Sequence, residues 1–281
     1  MNGSRGVIQL DQKTLRALQI VEVEMLVELD RICRKNDIKY TIIGGTLIGA
    51  LRTGGFIPWD DDIDVAMLRD EYERFRIACE KDLDQSRFYF QDHRNTKGYR
   101  WGYGKLRRKD TLFLREHQEH MPYEQGVFLD VFPHDGVPDA LPARAFHNFQ
   151  CFIIRKFLWS EVGRVADRNT FRRKIFQLMS KVPEKKVFVI YHKLICKSNK
   201  RKYKRVRALM FPTFGKEFGY DREWFEPGQD VEFEGHMFQC MKGAREYLIF
   251  SYGDYMQLPP EEKRKVHPVS DIKLPEIEAD A

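Results

Sequence analysis

The chain has 281 residues, 42% of them hydrophobic, with 48 Lys and Arg against 42 Asp and Glu. That supplies a core for one large domain, or one domain with a sizeable insertion, and excludes an intrinsically disordered chain. No apolar run approaches the ~18–20 residues that span a bilayer, and the five cysteines, odd in number and scattered without a Cys-x-x-Cys, imply neither disulfides nor zinc.

Met1–Gly6 lacks the apolar stretch of a signal peptide, so a cytoplasmic location is expected. Asp11 reads as an N-cap, followed at helical spacing by Leu15, Leu18, Met25, Leu29 and Ile32. This helix ends in the cations of Arg34-Lys35-Asn36-Asp37. Tyr40–Gly49 then reads as a short buried strand, a turn at Gly44-Gly45, and a helix beginning near Thr46. Glycines at such a turn permit positive φ and let a phosphate approach the backbone, where helix N-terminal amides favour an anion.

Pro58-Trp59-Asp60-Asp61-Asp62-Ile63-Asp64-Val65-Ala66-Met67 places four carboxylates within five positions and then turns apolar. If Asp62–Met67 is a strand, Asp62 and Asp64 share one face with Asp60 in line, while Ile63 and Val65 point the other way. Like charges this close raise one another's pKa, and a divalent cation removes the repulsion. Oxygen ligands suit Mg²⁺ or Mn²⁺. An acidic turn before a strand would explain Asp60 and Asp61, but not an Asp-x-Asp that continues into the strand.

A second amphipathic helix is predicted through Tyr72, Phe75, Cys79 and Leu83, then strands at Arg87–Gln91, Tyr99–Arg107 and Thr111–Arg115. In Tyr99–Arg107, Trp101, Tyr103, Lys105 and Arg107 share one parity. That face is either an exposed side of a half-buried sheet or a donor-binding surface, with Lys105 on phosphate and the aromatics on a base or a quaternary ammonium. His117 and His120 lack the spacing of a zinc site. Val127–Phe132 is a further strand in which Asp130 is the lone carboxylate, and His134 and Asp135 are expected to shape a turn after Pro133.

Gly44–Arg52 followed by Gly55–Asp64 resembles the signature of the LicD family, which includes bacterial phosphorylcholine transferases and, more distantly, fukutin-type ribitol-phosphate transferases. Gly126–Pro133 and Tyr252–Met256 followed by Leu258-Pro259-Pro260 fit as well, so the likeness covers roughly residues 15–140 and 245–275. It implies an α+β fold: the mixed sheet of the nucleotidyltransferase superfold, flanked by helices. Asp62, Asp64 and Asp130 would hold the metal, Asp130 as third ligand unless backbone amides satisfy it. Gly44, Gly45, Thr46 and Lys105 would hold donor phosphate. Arg52 would reach phosphate or cap an acidic neighbour, and His267 would contact phosphate or acceptor.

Residues 141–210 carry 19 Lys and Arg against 3 Asp and Glu, a net +16, whereas the rest of the chain is −10. The expected organisation is a catalytic core over 1–140, a basic, mostly helical insertion over 141–210, and a segment over 211–281 that completes the core. Interleaved with Phe149, Phe152, Ile153 and Trp159, the insertion reads as a solvated surface, a contact with an anionic membrane, or a site for a polyanionic acceptor. No recognition motif accompanies the charge, so nucleic acid is not expected. The family's chemistry implies transfer of an alcohol phosphate from a CDP-alcohol, CDP-choline foremost, to a sugar hydroxyl of a glycan or its lipid-linked precursor. Transfer of the nucleotide itself, or a non-catalytic nucleotide- or membrane-binding module, are the alternatives.

Overall fold

A computed structural model describes residues 7–211, 217–264 and 266–275; Met1–Gly6 lie outside the described residues. Asp11 caps α1 (Gln12–Lys35) by accepting the Thr14 amide at 2.7 Å, and Arg34 and Lys35 complement the dipole in its last turn. Leu18, Met25, Leu29 and Ile32 are buried, as their spacing requires. β1 (Thr41–Ile42), α2 (Gly44–Thr53), β2 (Asp64–Leu68) and α3 (Arg69–Asp82) follow. The strand expected from Asp62 thus begins at Asp64, and Asp60–Ile63 are irregular chain leading into it.

β3 (Phe88–Gln91), β4 (Gly104–Arg108) and β5 (Leu112–Arg115) come next. β4 is shorter than Tyr99–Arg107 because the Gly102 carbonyl accepts the Tyr191 hydroxyl at 2.9 Å instead of pairing with a strand. β6 (Phe128–Val137) is longer than expected, and all ten of its residues are buried. No turn forms at His134 and Asp135. One edge of β6 pairs with β4 through Val131 and with a later strand from His134 onward, and Pro133, which lacks an N–H, falls between these two partners.

The basic block forms α4 (Leu141–Ala166), α5 (Thr170–Met179) and α6 (Glu184–Ser198), and its end, β7 (Arg205–Ala208), joins β6 in the central sheet. β8 (Tyr220–Asp221), the hairpin of β9 (Val231–Phe233) and β10 (His236–Phe238), α7 (Ala244–Tyr252) and β11 (Val269–Lys273) complete the chain. The central sheet runs β1-β2-β6-β4-β3, with β7 on β6 and β8 on β7; only β2 and β6 are parallel. β11 pairs with β5. Helices α1 and α3 pack on each other and on this sheet, which makes the class α+β, as expected.

Asp135 is fully buried and receives both prongs of the Arg69 guanidinium at 2.7 Å, with Asn199 donating at 2.6 Å. Removing one partner strands a buried charge, a loss of about 3–5 kcal/mol. Arg69→Met is therefore expected to lower the urea midpoint by that equivalent at unchanged slope. A loss below about 1 kcal/mol would show that the pair does not hold α3 to β6.

Candidate active site

The parallel register of β2 and β6 sets Asp64 beside Asp130, and the antiparallel register of β4 sets Lys105 on the other side of Asp130. Lys105 Nζ donates to Asp130 Oδ1 and lies 3.3 Å from the Phe128 ring centroid. Backbone bonds fix the carboxylates: the Asp130 amide donates to the Ile63 carbonyl at 3.0 Å, and the Ile43 amide to the Asp64 carbonyl at 3.0 Å. His267, 206 residues from Asp61 in sequence, closes the site. Its amide donates to Asp61 Oδ2 at 2.8 Å, and its ring lies 3.2 Å from Asp61 Oδ1 and 3.7 Å from Asp62 Oδ2.

Two further carboxylates join from outside the Asp-x-Asp. Glu22 of α1 is buried and faces the cluster, and its Oε2 has no partner. Asp60 Oδ2 is likewise buried without a partner. Burial pushes Glu22 well above the usual carboxylate range, with Asp62, Asp61, Asp60 and Asp64 adding to the rise. Burial and then Asp62 and Asp130 do the same to Asp64. Asp62 rises through burial against the opposing pull of His267, and Asp60 is pushed up to about 8 by burial, Asp62 and Asp61. Lys105 is pulled down to about 8 by burial despite Asp130.

Six carboxylates (Glu22, Asp60, Asp61, Asp62, Asp64 and Asp130) thus converge, and among the described residues the basic side chains within 4.0 Å of any of them are Lys105 and His267. The excess negative charge and the orphaned oxygens of Glu22 and Asp60 fit a divalent cation with oxygen ligands. Among the described residues, the group whose ligand atoms all lie within 4.8 Å is Asp61, Asp62 and His267. It shares Asp62 with the expected set; Asp130 is engaged by Lys105 instead.

Gly44 and Gly45 open α2, whose N-cap Ile43 offers no side-chain cap. Gly44 has φ +62°, and a Cβ there would lie 3.0 Å from Asp64 Oδ2; a Cβ on Gly45 would lie 2.3 Å from Asp60 Oδ2. Both glycines are therefore needed for the carboxylates to approach the helix start. Thr46 is buried, and its hydroxyl accepts the Asp64 amide at 3.1 Å, so it positions Asp64. Arg52 does not meet an acidic neighbour: its Nη2 donates to the carbonyls of Tyr255 and Gln257, tying α2 to the C-terminal segment. Trp101 donates to the Tyr123 hydroxyl at 3.1 Å, and Tyr103 packs on Phe132 and Phe211; both line a cavity beyond Lys105.

Glu22 and Asp61 are the residues that sequence periodicity missed. Glu22 falls on the apolar stripe between Leu18 and Met25, and a carboxylate on a stripe that must be buried was the available signal.

A family model described as LicD/FKTN/FKRP, nucleotidyltransferase domain, matches residues 37–150, which hold the glycines, the Asp-x-Asp, Lys105 and Asp130. The lipopolysaccharide cholinephosphotransferase LicD of Haemophilus influenzae is 31% identical over 265 residues, 93% of this chain and 98% of that protein. The chain belongs to the LicD family. It is accordingly a transferase of substituted phosphate groups. An uncharacterized protein of Rickettsia prowazekii is 23% identical over 139 residues, half of this chain and 47% of its own. One from Rickettsia typhi is 38% identical over 53 residues, 19% of this chain and 17% of its own.

Because Asp60 titrates near 8 in the folded protein and near 3.9 unfolded, the folded state binds the extra proton between these values. Stability in a chelator therefore falls as pH rises through that window. The melting midpoint in EDTA is expected to drop between about pH 5 and 8, and Asp60→Asn is expected to flatten the drop. A profile identical in both proteins would remove Asp60 from the repelling cluster.

Proposed function

We propose that the chain transfers phosphocholine, or a related alcohol phosphate, from a CDP-activated donor to a sugar hydroxyl of lipopolysaccharide or a related cell-surface glycan or lipid-linked precursor. The observation that carries this reading is the set of converging carboxylates against the uncapped N-terminus of α2. It occurs in a chain aligned over 93% of its length with a protein named as a lipopolysaccharide cholinephosphotransferase.

The donor's phosphates sit against the amides of Gly44 and Gly45, where the helix dipole favours an anion. Asp62, Asp64 and Asp130 would hold Mg²⁺ or Mn²⁺, with Asp61 and His267 close enough to Asp62 to share the task. When bound, the ion supplies neutralisation of the diphosphate charge. Lys105 adds a cation where negative charge builds on the transferred phosphoryl group. The acceptor oxygen bonds to the phosphorus bearing choline, the phosphorus–oxygen bond to CMP breaks, and CMP leaves as the anion. A carboxylate of the cluster takes the hydroxyl proton.

A panel of CDP-choline, CDP-ethanolamine, CDP-glycerol and CDP-ribitol, read by CMP release, is expected to single out one donor, with activity lost in EDTA and restored by Mg²⁺ or Mn²⁺. Asp62→Asn and Asp64→Asn are each expected to cost at least about 10² in turnover, the scale of a lost electrostatic contact at a reacting centre. An acceptor mass increment of one nucleotide, with release of the alcohol phosphate from a CDP-alcohol or of pyrophosphate from a nucleoside triphosphate supplied in its place, would instead establish nucleotidyl transfer and sink this reading.

The basic insertion supports docking on an anionic leaflet. Phe146, Phe149 and Ile153 of α4 are exposed at i, i+3 and i+7, and Phe171, Ile175 and Leu178 of α5 at i, i+4 and i+7, along one side of each helix. Phe176 is the one buried residue of α5, and Arg172, Arg173 and Lys174 flank its apolar stripe. No helix among the described residues is long and apolar enough to cross a membrane. Such a helix rests in the interface, apolar side in the acyl boundary and cations on the headgroups. Phe171→Ser with Leu178→Ser is expected to reduce sedimentation with phosphatidylglycerol liposomes while leaving CDP-alcohol hydrolysis unchanged. Undiminished sedimentation would remove α5 from the contact.

A further inference from the structure

Beyond Lys105 lies a cavity of about 260 Å³, enclosed by β4, the preceding Arg100–Tyr103 segment, α4 and Phe211. Five cations line it, Arg100, Lys105, Arg107, Arg115 and Arg155, and no Asp or Glu does. Among the described residues, carboxylates come within 4.0 Å of only two of the five. Lys105 has Asp130, and Arg100 has Glu184 at 3.9 Å. Arg107 is satisfied by neutral oxygens, Gln91 Oε1 at 2.7 Å and the Gly126 carbonyl at 2.6 Å. Arg155 Nη1 is buried with no partner. Cations withdrawn from water without counter-charge are costly, and a bound anion offsets that cost.

The remaining walls are aromatic, with Trp101, Tyr103, Phe128, Trp159 and Phe211 around the cations. Aromatic faces accept the apolar face of a sugar ring or a base, and a quaternary ammonium stacks on them equally well. Arg107, Arg115 and Arg155, the three without a carboxylate within 4.0 Å among the described residues, repel an ammonium, which disfavours choline here. Neither glycine of the α2 start nor any of Asp60–Asp64 lines the cavity, so the donor phosphates lie elsewhere and Lys105 is the shared border. The volume falls below the about 300–1,000 Å³ of a typical small-molecule pocket. It suits one sugar ring with a charged substituent better than a nucleotide.

We propose that this cavity is the acceptor subsite, and that it selects a sugar carrying an anionic substituent, phosphate or carboxylate, beside the hydroxyl that is attacked. The assignment rests on the donor reading above only in calling the bound sugar the acceptor; anion binding stands independently of it. Arg155, Leu158 and Trp159 come from α4, so the basic insertion supplies the selecting wall.

The test is calorimetric titration of the whole protein in EDTA with hexose, hexose 6-phosphate, hexuronate, inorganic phosphate and CMP. A hexose 6-phosphate or hexuronate is expected to bind at least about tenfold more tightly than the neutral hexose, the scale of one charge-assisted contact. Arg115→Gln and Arg155→Gln are expected to weaken it by a similar factor, and Arg155→Lys to retain most of it. Equal binding of neutral and anionic sugars, no binding of either anionic sugar, or displacement of the sugar phosphate by CMP would overturn the proposal. Binding of inorganic phosphate as tight as that of hexose 6-phosphate would remove the sugar from it. If CMP release fails while anionic sugars bind in EDTA, the donor reading falls and the anion site remains.

Discussion

The mutual repulsion of the carboxylates at the junction of α1, β2 and β6 is the constraint around which the rest of the structure is arranged. Side chains that repel cannot hold one another, so the backbone holds them. Asp64 is locked by Ile43 and Thr46, and Asp130 by Ile63. The opposite faces of the same strands supply the compensating energy. Val65, Leu129 and Val131 are fully buried, and each such side chain contributes about 1.5–3 kcal/mol. The fold thereby keeps a locally unfavourable charge arrangement, one that the cation of the proposed mechanism would relieve.

The C-terminal segment acts on this site without forming its core. Arg52 is bound to the Tyr255 and Gln257 carbonyls, and His267 lies on Asp61 and Asp62. The first contact ties α2 to this segment and the second holds the acidic loop, both from outside the sheet. They also account for the Tyr252–Met256 motif in physical terms, since its backbone carbonyls serve as acceptors for a guanidinium and its conformation must present them.

Charge is divided in space as well as along the chain. Acidic groups gather on the strand ends that face α2, whereas cations collect on the other side of Lys105 and over the helices of the insertion. Lys105 stands at this boundary, bonded to Asp130 on one side and lining the aromatic cavity on the other. The outer faces of α4 and α5 expose phenylalanines among cations, while the inner face of α4 contributes Arg155 and Trp159 to the cavity. One helix thus borders both the cavity and the exposed surface. Under the two proposals above, the same helix would meet an anionic surface on one side and the acceptor on the other, and attraction to that surface would act over a Debye length of about 8 Å at physiological salt.

The sequence by itself determined the elements whose signals are local. Asp11 and the spacing from Leu18 to Ile32 marked α1, the glycines marked the start of α2, and the alternation through Ile63 and Val65 set Asp62 and Asp64 apart from the core. Local periodicity carries this information because helix and strand faces repeat within a few residues. Tertiary structure alone decided which distant groups meet. It brought Glu22 to the Asp-x-Asp, His267 to Asp61, Arg52 to Tyr255, and Arg155 to the wall beyond Lys105. It also extended β6 through Pro133, because the gap between β4 and β7 removed the need for that proline's missing N–H. Such contacts depend on sheet order and register, which no short window of residues encodes.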